Sequence, residues 1–484
     1  MSFSQSNRLR ILFIAAEAAP LVKIGGLGDY IESLPKALLD QNKDAGITLD
    51  IRIAIPYTNL IHPTFLSKSN VLSFTSQHGS AINSFDIYTT TIDSIQYYVL
   101  KNKALSEQEQ EVYSIDPVQD GEKFIAFSCA CFDLMKAVKW QADIIHTNDW
   151  QTGPACNYLA SHKKSNNSIR SIFVIHNLPY MGAGTQALME KYGFQTKEDP
   201  LLPAWANNLP LVAGIQDADQ VITVSPTYAQ EIQTAAFGND LQDYLTSQKH
   251  RIRGILNGID QTIWDPKTDP LIQHNFNSDT LENRKKNKNE ITAELALQSK
   301  PEIPLLVMIS RLDRQKGIAL LIETLKTLGK QHWQAVILGT GSADQEKLTR
   351  KLAKQFPKKV RVLNRFDNQF SHQLFAGGDI FLMPSLYEPC GTSQMIAMRY
   401  GCIPVAHAVG GLVDSICDTE ESRTGFLFYK PEVKPFAKTL QHALQQFQNP
   451  VEWSKIQKRA MQQDFSWKNS AKEYLEVYRT IKRT

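Results

Sequence analysis

The sequence predicts an α/β protein with two doubly wound domains. Short apolar runs rich in Ile and Val alternate with longer helical patterns along the chain, which is typical of parallel strands joined by helices. This alternation stops across residues 265–302, where a polar stretch and the basic run 284–290 offer few core-forming residues, and then it resumes. A chain of 484 residues is long enough for two large domains. We therefore predict one domain over residues 1–270 and a second over residues 271–465.

Each predicted strand is a short apolar run that precedes a helix or a polar loop. In the first domain these runs are 11–16, 50–55, 143–146, 171–176 and 220–225. In the second domain they are 304–310, 334–339, 359–363, 379–385, 402–408 and 425–428. Ligands of open α/β sheets bind outside the carboxyl ends of the strands, so two such domains facing each other would hold a substrate in the cleft between them.

Residues 466–484 are predicted to form a separate C-terminal helix. Ser466 is a suitable N-cap, and the following residues carry an apolar face at helical spacing, made of Trp467, Ala471, Tyr474, Leu475 and Tyr478. A helix with such a face must pack against another part of the protein.

Composition and charge exclude several classes of protein. With 42% apolar and 21% charged residues, the composition is that of a soluble globular protein. The net charge of +3 is too small to hold a nucleic acid or an anionic membrane. The first apolar run, 11–16, is too short to span a bilayer, and six cysteines without paired spacing favour a reducing compartment. We expect a cytoplasmic enzyme or binding protein.

The loop after the first strand has the residues of a phosphate site. Gly25 and Gly26 let backbone N–H groups approach an anion, the next helix adds its positive end, and Lys23 adds a full charge. The combination suits a phosphate or diphosphate. The loop is neither a GxGxxG nor a Walker sequence, so the dinucleotide and P-loop interpretations lose their main support. The alternative is a glycine-rich turn required only by steric fit.

A second group of charged residues follows two strands of the second domain. Arg311, Arg314 and Lys316 come just after strand 304–310, where arginine can bind two phosphate oxygens at once. Glu388 follows strand 379–385 and is placed to accept hydrogen bonds from sugar hydroxyls or to stabilise a cationic transition state. The alternatives are a solvated basic turn and a surface glutamate.

The first domain also places polar residues at strand ends. His176 and Asn177 end strand 171–176, and His146 and Asp149 flank the end of strand 143–146. A lone histidine at such a position is commonly structural, but several polar groups on one sheet edge favour a functional site. One metal candidate, the aspartates of 217–219, precedes strand 220–225 and so lies at the opposite edge of the sheet.

Motifs along nearly the whole chain give it a family resemblance. They are KIGGLGD (23–29), HTNDWQTG (146–153), VIHNLPYMG (174–182), TVSPTYAQEI (223–232), NGID (257–260), SRLDRQKG (310–317), EPCG (388–391), GGLVDS (410–415) and FSWKNSAKEYLEVY (465–478). In this order they resemble bacterial glycogen synthases and plant starch synthases, which are retaining glucosyltransferases. The resemblance implies two Rossmann-like domains of the GT-B type, with the acceptor glucan mainly on the first, the nucleotide on the second, and the C-terminal helix crossing back to the first.

The resemblance also implies roles for individual residues. Glu388, His176, Lys316 and Arg311 would be catalytic, with the two cations stabilising the departing diphosphate. The nucleotide sugar would be bound by Lys23, Gly25, Gly26, Asn257, Arg311, Lys316, Cys390, Gly391, Gly410 and Gly411. The acceptor would contact Asp29, Asp149 and Trp150. The implied reaction moves glucose from ADP-glucose to the non-reducing end of an α-1,4-glucan such as glycogen or starch, without a metal or other cofactor.

Two alternatives stay open. The first is a glucosyltransferase that uses UDP-glucose, because base recognition depends on the shape of the pocket. The second is a weakly active homologue that binds glucan or primer, motivated by His407 and Val409, which stand where the family usually has arginine and threonine.

Overall fold

The computed structural model describes residues 8–45, 47–66, 72–105, 110–114, 116–162 and 169–483. It divides into two compact units: unit 1, Met1–Asn257 with Trp467–Thr484, and unit 2, Gly258–Ser466. Unit 1 thus ends before the predicted boundary at residue 270. The physical reason is that the buried Asp269 carboxylate contacts His372 Nδ1 at 2.7 Å and accepts a hydrogen bond from the Tyr400 hydroxyl at 2.5 Å, and both partners belong to unit 2.

Unit 1 is built on a mixed sheet with a parallel centre. Its described strands are β1 (Arg8–Ile14), β2 (Thr48–Pro56), β3 (Leu72–His78), β4 (Ala81–Ile92), β5 (Ile95–Asn102), β6 (Ile144–Asn148), β7 (Arg170–Ile175), β8 (Gln220–Thr223) and β9 (Ile252–Gly254). They lie in the order β3-β4-β5-β2-β1-β6-β7-β8-β9. The pairs β3–β4 and β4–β5 are antiparallel and the others are parallel.

The five strands predicted for unit 1 are all present, and the sequence pattern missed four more. In β4 buried and exposed residues alternate over the first half, so this strand lacks the continuous apolar run expected of a strand buried on both faces. The helices of this part are α1 (Gly26–Ala45), α2 (Pro117–Ala137), α3 (Asp149–Thr152), α4 (Pro154–Ser161), α5 (Gln186–Lys191), α6 (Pro210–Asp217), α7 (Pro226–Glu231) and α8 (Gln242–Ser247).

Unit 2 is built on a parallel sheet. Its described strands are β10 (Leu305–Ile309), β11 (Gln334–Leu338), β12 (Val360–Leu363), β13 (Ile380–Met383), β14 (Ile403–His407) and β15 (Phe426–Phe428), in the order β12-β11-β10-β13-β14-β15. All six match predicted runs. The helices are α9 (Arg284–Glu294), α10 (Ile318–Thr327), α11 (Ala343–Gln355), α12 (Asn368–Gly377), α13 (Ser393–Arg399), α14 (Gly411–Ser415), α15 (Val433–Phe447) and α16 (Pro450–Met461).

The polar stretch around α9 is part of unit 2, contrary to the expectation that it builds little core. Arg284 and Lys288 are buried on α9, and both contact the Asp379 carboxylate just before β13, at 3.5 and 2.7 Å. Lys288 Nζ also donates to the Ile303 carbonyl. A hydropathy pattern counts these cations as surface residues, but in the fold they neutralise one buried carboxylate and hold α9 against the sheet.

The last helix, α17 (Trp467–Arg483), belongs to unit 1 and packs on α1. All five residues of its predicted apolar face are buried: Trp467, Ala471, Tyr474, Leu475 and Tyr478. The predicted return of the C-terminal helix to the first domain is therefore confirmed. Within the described ranges, the length and apolarity needed to cross a membrane are not combined in any helix.

Each sheet has a point where the strand order reverses. In unit 1 it lies between β1 and β6, and in unit 2 between β10 and β13. Loops that leave the carboxyl ends of two such strands run in opposite directions and leave a crevice between them, where open α/β sheets bind ligands. The segments that follow these four strands contain Lys23, Asp149, Arg311 and Glu388, of which Asp149 is the first residue of α3.

Candidate functional site

The glycine loop of unit 1 is organised by Glu17, a residue that the sequence analysis missed. Glu17 is 1% exposed, and its carboxylate accepts hydrogen bonds from the backbone N–H groups of Ile24, Gly25 and Gly28. Burial raises the pKa of Glu17, and the backbone donors oppose that rise. A carboxylate separated by several residues from the loop thus fixes the path of the loop backbone.

The loop leaves open space beside its glycines. A Cβ at Gly25 would meet Glu17 Oε1 at 3.4 Å, an ordinary contact, and a Cβ at Gly26 would meet nothing within 4 Å. Neither glycine needs left-handed backbone. The steric explanation for these two glycines is therefore not supported. Nearby, the Lys23 ammonium and the Asp29 carboxylate form an exposed ion pair at 2.7 Å.

His176 and Asp149 meet at the ends of β6 and β7. Asp149 Oδ1 accepts the backbone N–H of His176 at 2.7 Å and that of Asn177 at 3.3 Å. Burial raises the pKa of Asp149 to about 7, and the two backbone donors oppose that rise. Burial lowers the pKa of His176 to about 3, so this imidazole is neutral at neutral pH.

The hydrogen bonds around Asn148 fix the tautomer of His176. The Asn148 amide nitrogen donates to the carbonyl of Ile14, so its Oδ1 is the atom that faces His176 Nε2 at 3.0 Å. An amide oxygen only accepts, so Nε2 carries the proton and Nδ1 is an acceptor. His176 therefore has a fixed direction in which it can accept a hydrogen bond from a ligand.

The other predicted residues of unit 1 have structural contacts. Trp150 is buried, its ring centroid lies 5.6 Å from that of Phe124, and it also packs against Gly182. Its implied contact with the acceptor therefore stays a prediction. Asn257 is the last residue of the first segment of unit 1, and its buried side-chain oxygen has no hydrogen-bond partner among the residues that the structure describes.

His146 and the aspartates of 217–219 are also held by structural partners. His146 is fully buried between tyrosine hydroxyls of α1 and α17. Asp217 pairs with Lys197 at 2.9 Å, and Asp219 accepts a hydrogen bond from Ser171. Asp219 directly precedes β8, at the edge opposite the carboxyl ends, as predicted.

In unit 2 the central contact joins Glu388 to Lys316. Glu388 is 6% exposed, and its Oε2 lies 2.6 Å from Lys316 Nζ and 2.8 Å from the Ser385 hydroxyl, which donates to it. These residues follow β10 and β13, the neighbours across the strand reversal. The structure thus brings together the carboxylate and one cation that the sequence predicted.

The backbone around Lys316 explains how it reaches Glu388. Asp313 accepts the Lys316 N–H at 3.1 Å and closes a short 3₁₀ turn over Arg314–Lys316. The next residue, Gly317, has φ +68°, and a Cβ there would lie 2.0 Å from the Pro384 carbonyl oxygen. Only glycine permits this approach, which holds the basic loop against the end of β13.

Arg311 and Lys316 line a cavity of about 180 Å³ at the carboxyl ends of β10 and β13. Ser310 and Ser385 contribute polar atoms to it, and residues of the two strands form its apolar wall. Arg311 is mostly exposed and lies 3.6 Å from the Asp313 carboxylate. The cavity therefore has a polar side that carries two positive charges.

The remaining predicted residues of unit 2 pack against the backbone of the segment that contains Glu388. A Cβ at Gly410 would lie 2.0 Å from the Glu388 carbonyl oxygen, and one at Gly411 would lie 2.2 Å from that of Cys390. The Gly411 N–H donates to the Glu388 carbonyl at 3.2 Å. Gly391 has φ +67°, and Cys390 is buried. Their direct contact with a nucleotide sugar stays a prediction.

His407, one of the two residues that depart from the family pattern, ends β14 and contacts the end of the neighbouring strand β13. It is buried, its ring stacks on Phe428 with centroids 5.3 Å apart, and its Nδ1–H donates to the Ser385 carbonyl at 2.8 Å. Burial lowers the pKa of His407, which keeps it neutral. The other departure, Val409, is buried.

Comparison with known proteins agrees with this arrangement. Residues 10–247 match the starch synthase catalytic domain, and residues 288–460 match the glycosyl transferases group 1. The glycogen synthase of Lactiplantibacillus plantarum is 37% identical over 488 residues, which cover 98% of this chain and 100% of that protein. The glycogen synthase of Clostridium beijerinckii is 35% identical over 484 residues, which cover 98% and 99%. This chain belongs to the glycogen and starch synthase family.

Solved structures support the same family and fold. The catalytic domain of starch synthase IV from Arabidopsis thaliana, bound to ADP and acarbose, is 30% identical with a TM-score of 0.88, covering 98% of this chain and 100% of that one. A sucrose-phosphate synthase from Thermosynechococcus elongatus, 17% identical with a TM-score of 0.62, shows the fold alone. The predicted resemblance is confirmed, and this glycogen and starch synthase family member is a glycosyltransferase with two Rossmann-like units.

The family motifs did not reveal three residues of this synthase family member. Glu17 and Ser385 form hydrogen bonds with motif residues that are 3 to 11 positions away, but neither lies inside a motif itself. Phe366 follows β12 at the carboxyl edge of the unit 2 sheet and is 89% exposed. The signal in the sequence is its position: an aromatic residue shortly after a predicted strand lies at the edge where ligands bind.

Proposed function

We propose that this protein transfers glucose from ADP-glucose to the non-reducing end of an α-1,4-glucan, with retention of configuration and release of ADP. The single observation that carries the proposal is the contact between Glu388 and Lys316 at the strand reversal of unit 2. It places a held carboxylate beside a cation, at the edge where a sugar diphosphate would bind.

The cations would stabilise the leaving group. When the bond between glucose C1 and the diphosphate breaks, negative charge moves onto the phosphate oxygens. Lys316 and Arg311, which line the cavity, would meet that charge, and Lys23 would do so from its own loop. The open space beside Gly26 supports close approach of an anion to the backbone.

Glu388 would act by electrostatics and not as a nucleophile. Its Oε2 already contacts Lys316 and accepts a hydrogen bond from Ser385, so this oxygen is held by two donors. It would therefore stabilise positive charge on the glucosyl ring. Retention then follows from attack on the same face: the acceptor oxygen bonds to C1 as the phosphate leaves, and the acceptor proton passes to a phosphate oxygen.

His176 would orient the glucosyl ring. Its Nδ1 is an acceptor and its imidazole is neutral, so it would accept a hydrogen bond from a sugar hydroxyl without adding charge. Asp149 holds the backbone of His176 and would face the acceptor.

We also propose that the reaction needs no metal ion and that the protein is cytoplasmic. Three cations on the protein would supply the positive charge that a divalent ion supplies elsewhere. All six cysteines are free thiols, which supports a reducing compartment.

The experiment is ADP release by the purified chain with ADP-glucose and glycogen in the presence of a metal chelator. UDP-glucose is run in parallel, because the choice of donor is the main alternative. Glu388→Ala and the isosteric Glu388→Gln should lower kcat by about 10²-fold or more while ADP binding is retained. Glu323→Ala, an exposed glutamate of α10, is the matched control.

Three outcomes would contradict parts of the proposal. Wild-type turnover in Glu388→Ala would remove the role of that residue. Faster turnover with UDP-glucose would change the donor. Glycogen binding without ADP release from either donor would favour the glucan-binding alternative. The contact of His407 with the Ser385 carbonyl supports an intact site and so argues against that outcome.

A further inference from the structure

Tyr30 connects the first and last helices of unit 1. It follows Asp29 on α1 and is 1% exposed. Its hydroxyl lies 2.9 Å from His146 Nε2 and donates to the Tyr474 hydroxyl of α17 at 2.8 Å. One buried side chain therefore joins the helix that follows the glycine loop to the helix that ends the chain.

The hydrogen bonds around Tyr30 have one consistent direction. Because Tyr30 donates its proton to Tyr474, it accepts at His146, whose Nε2 must then carry a proton. His146 Nδ1 is left as an acceptor for the Tyr478 hydroxyl at 2.8 Å. These three hydrogen bonds are compatible with one another and join α1 to α17 through Tyr30 and His146.

The same ring lies against His176. The ring centroids of Tyr30 and His176 are 4.6 Å apart with an interplanar angle of 83°, an edge-to-face contact. The centroid of Trp467, the first residue of α17, lies 5.6 Å from that of Tyr30 at 72°. His176 is thus two contacts away from the C-terminal helix.

We propose that Tyr30 is a positioning residue for His176 and that it makes the docking of α17 part of the active site. This inference rests on the proposed role of His176. The hydrogen bond from His176 Nε2 to Asn148 fixes one ring atom but permits the ring to turn about that bond. The perpendicular Tyr30 ring fixes the plane of the imidazole, and so the direction in which Nδ1 accepts.

The alternative is that Tyr30 only stabilises the core. To separate the two, Tyr30→Leu removes the aromatic contact, and Tyr30→Phe keeps the ring but removes the hydroxyl. Tyr478→Phe is the matched control, because it removes one hydroxyl from the same network. Each change is made in the wild-type chain and in His176→Ala, and kcat, ADP affinity and melting temperature are measured.

We expect Tyr30→Leu to lower kcat about three- to tenfold, the range of one edge-to-face contact, with ADP affinity unchanged. Tyr30→Phe should recover most of that kcat, and Tyr478→Phe should have wild-type kcat at a lowered melting temperature. In His176→Ala, the change at Tyr30 should have no further effect on kcat. The ¹⁵N spectrum of the His176 ring should show the same tautomer in both proteins, because Asn148 fixes it, with lines broadened by ring motion in Tyr30→Leu.

An equal loss of kcat from Tyr30→Leu in both backgrounds would overturn the inference, since the residue would then act on stability or on another group. Wild-type kcat in Tyr30→Leu would overturn it as well. Wild-type turnover in His176→Ala would overturn the proposed role of His176 and the inference with it. Loss of turnover in His176→Ala with additive effects at Tyr30 would remove the inference alone.

Discussion

Replacing Glu17 with glutamine tests whether one buried carboxylate holds the glycine loop in place. Its two oxygens accept hydrogen bonds from the N–H groups of Ile24, Gly25 and Gly28, with the Gly25 bond at 3.1 Å and the Gly28 bond at 3.2 Å. Glutamine has the same shape but only one oxygen. Its amide nitrogen would face a backbone N–H, so two donors would oppose each other.

The expected loss of stability follows from these contacts. A buried donor left without an acceptor costs about 1–3 kcal/mol, and the retained bonds weaken by about 1 kcal/mol as the acceptor loses its charge. Burial raises the pKa of Glu17, so removing the buried charge returns part of this loss. The net cost is therefore about 1–3 kcal/mol, or roughly 2–5 °C in melting temperature.

Activity should change as well, because the loop contains Lys23 and Gly26. We expect the KM for ADP-glucose in Glu17→Gln to rise about tenfold, which corresponds to roughly 1.4 kcal/mol of lost binding. The assay is ADP release over a range of ADP-glucose, with thermal melting of the same samples. The control is Glu32→Gln on α1, which removes a surface pair with Lys36. Wild-type KM and melting temperature in Glu17→Gln would refute the reasoning.

Three more predictions follow from the site. Burial raises the pKa of Asp149 to about 7, so its carboxyl is protonated below that pH. We therefore expect kcat/KM for glucan to rise with pH and to reach a plateau above about pH 7. The same loss at acidic pH in Asp149→Asn would assign it to another group. Phe366→Ala should raise the KM for ADP-glucose about tenfold with little change in kcat, if the exposed ring stacks on the base, and unchanged donor kinetics would exclude stacking. Gly410→Ala would place a Cβ 2.0 Å from the Glu388 carbonyl oxygen at φ +47°, so kcat should fall about 10²-fold and the melting temperature should fall. The control Gly26→Ala, which has open space around the new Cβ, should keep the wild-type melting temperature. Wild-type kcat in Gly410→Ala would show that Glu388 tolerates the shift.

The sequence predicted the fold well where strands are continuous apolar runs. All six strands of unit 2 and the five runs of unit 1 lie where the pattern placed them. The added strands β3 and β4 lie at one edge of the sheet, where β4 pairs antiparallel with both β3 and β5, and many of their positions are exposed or half-buried. Their signal is short alternation of polar and apolar residues, which a search for buried parallel strands does not detect.

The sequence predicted which residues belong to the candidate site but not which of them contact each other. The sequence named Lys316 and Glu388, and the structure joins them across 72 positions of the chain because β10 and β13 are neighbours. Glu17 and Ser385 bind atoms 3 to 11 positions away in the segments after β1 and β13, so their contacts depend on how each segment folds. Tyr30 binds Tyr474, 444 positions away, and no local pattern specifies that partner.

His407 shows why a departure from a family motif is hard to interpret from sequence. Loss of a fixed positive charge at this position suggested a weakened nucleotide site. In the structure the residue is buried, and its Nδ1–H donates to the Ser385 carbonyl while the Ser385 hydroxyl donates to Glu388. A longer, charged arginine would have to leave this buried position or displace the Phe428 ring on which His407 stacks. The histidine therefore fits the local packing of this chain and holds the strand end that precedes Glu388, a structural role that the sequence did not predict.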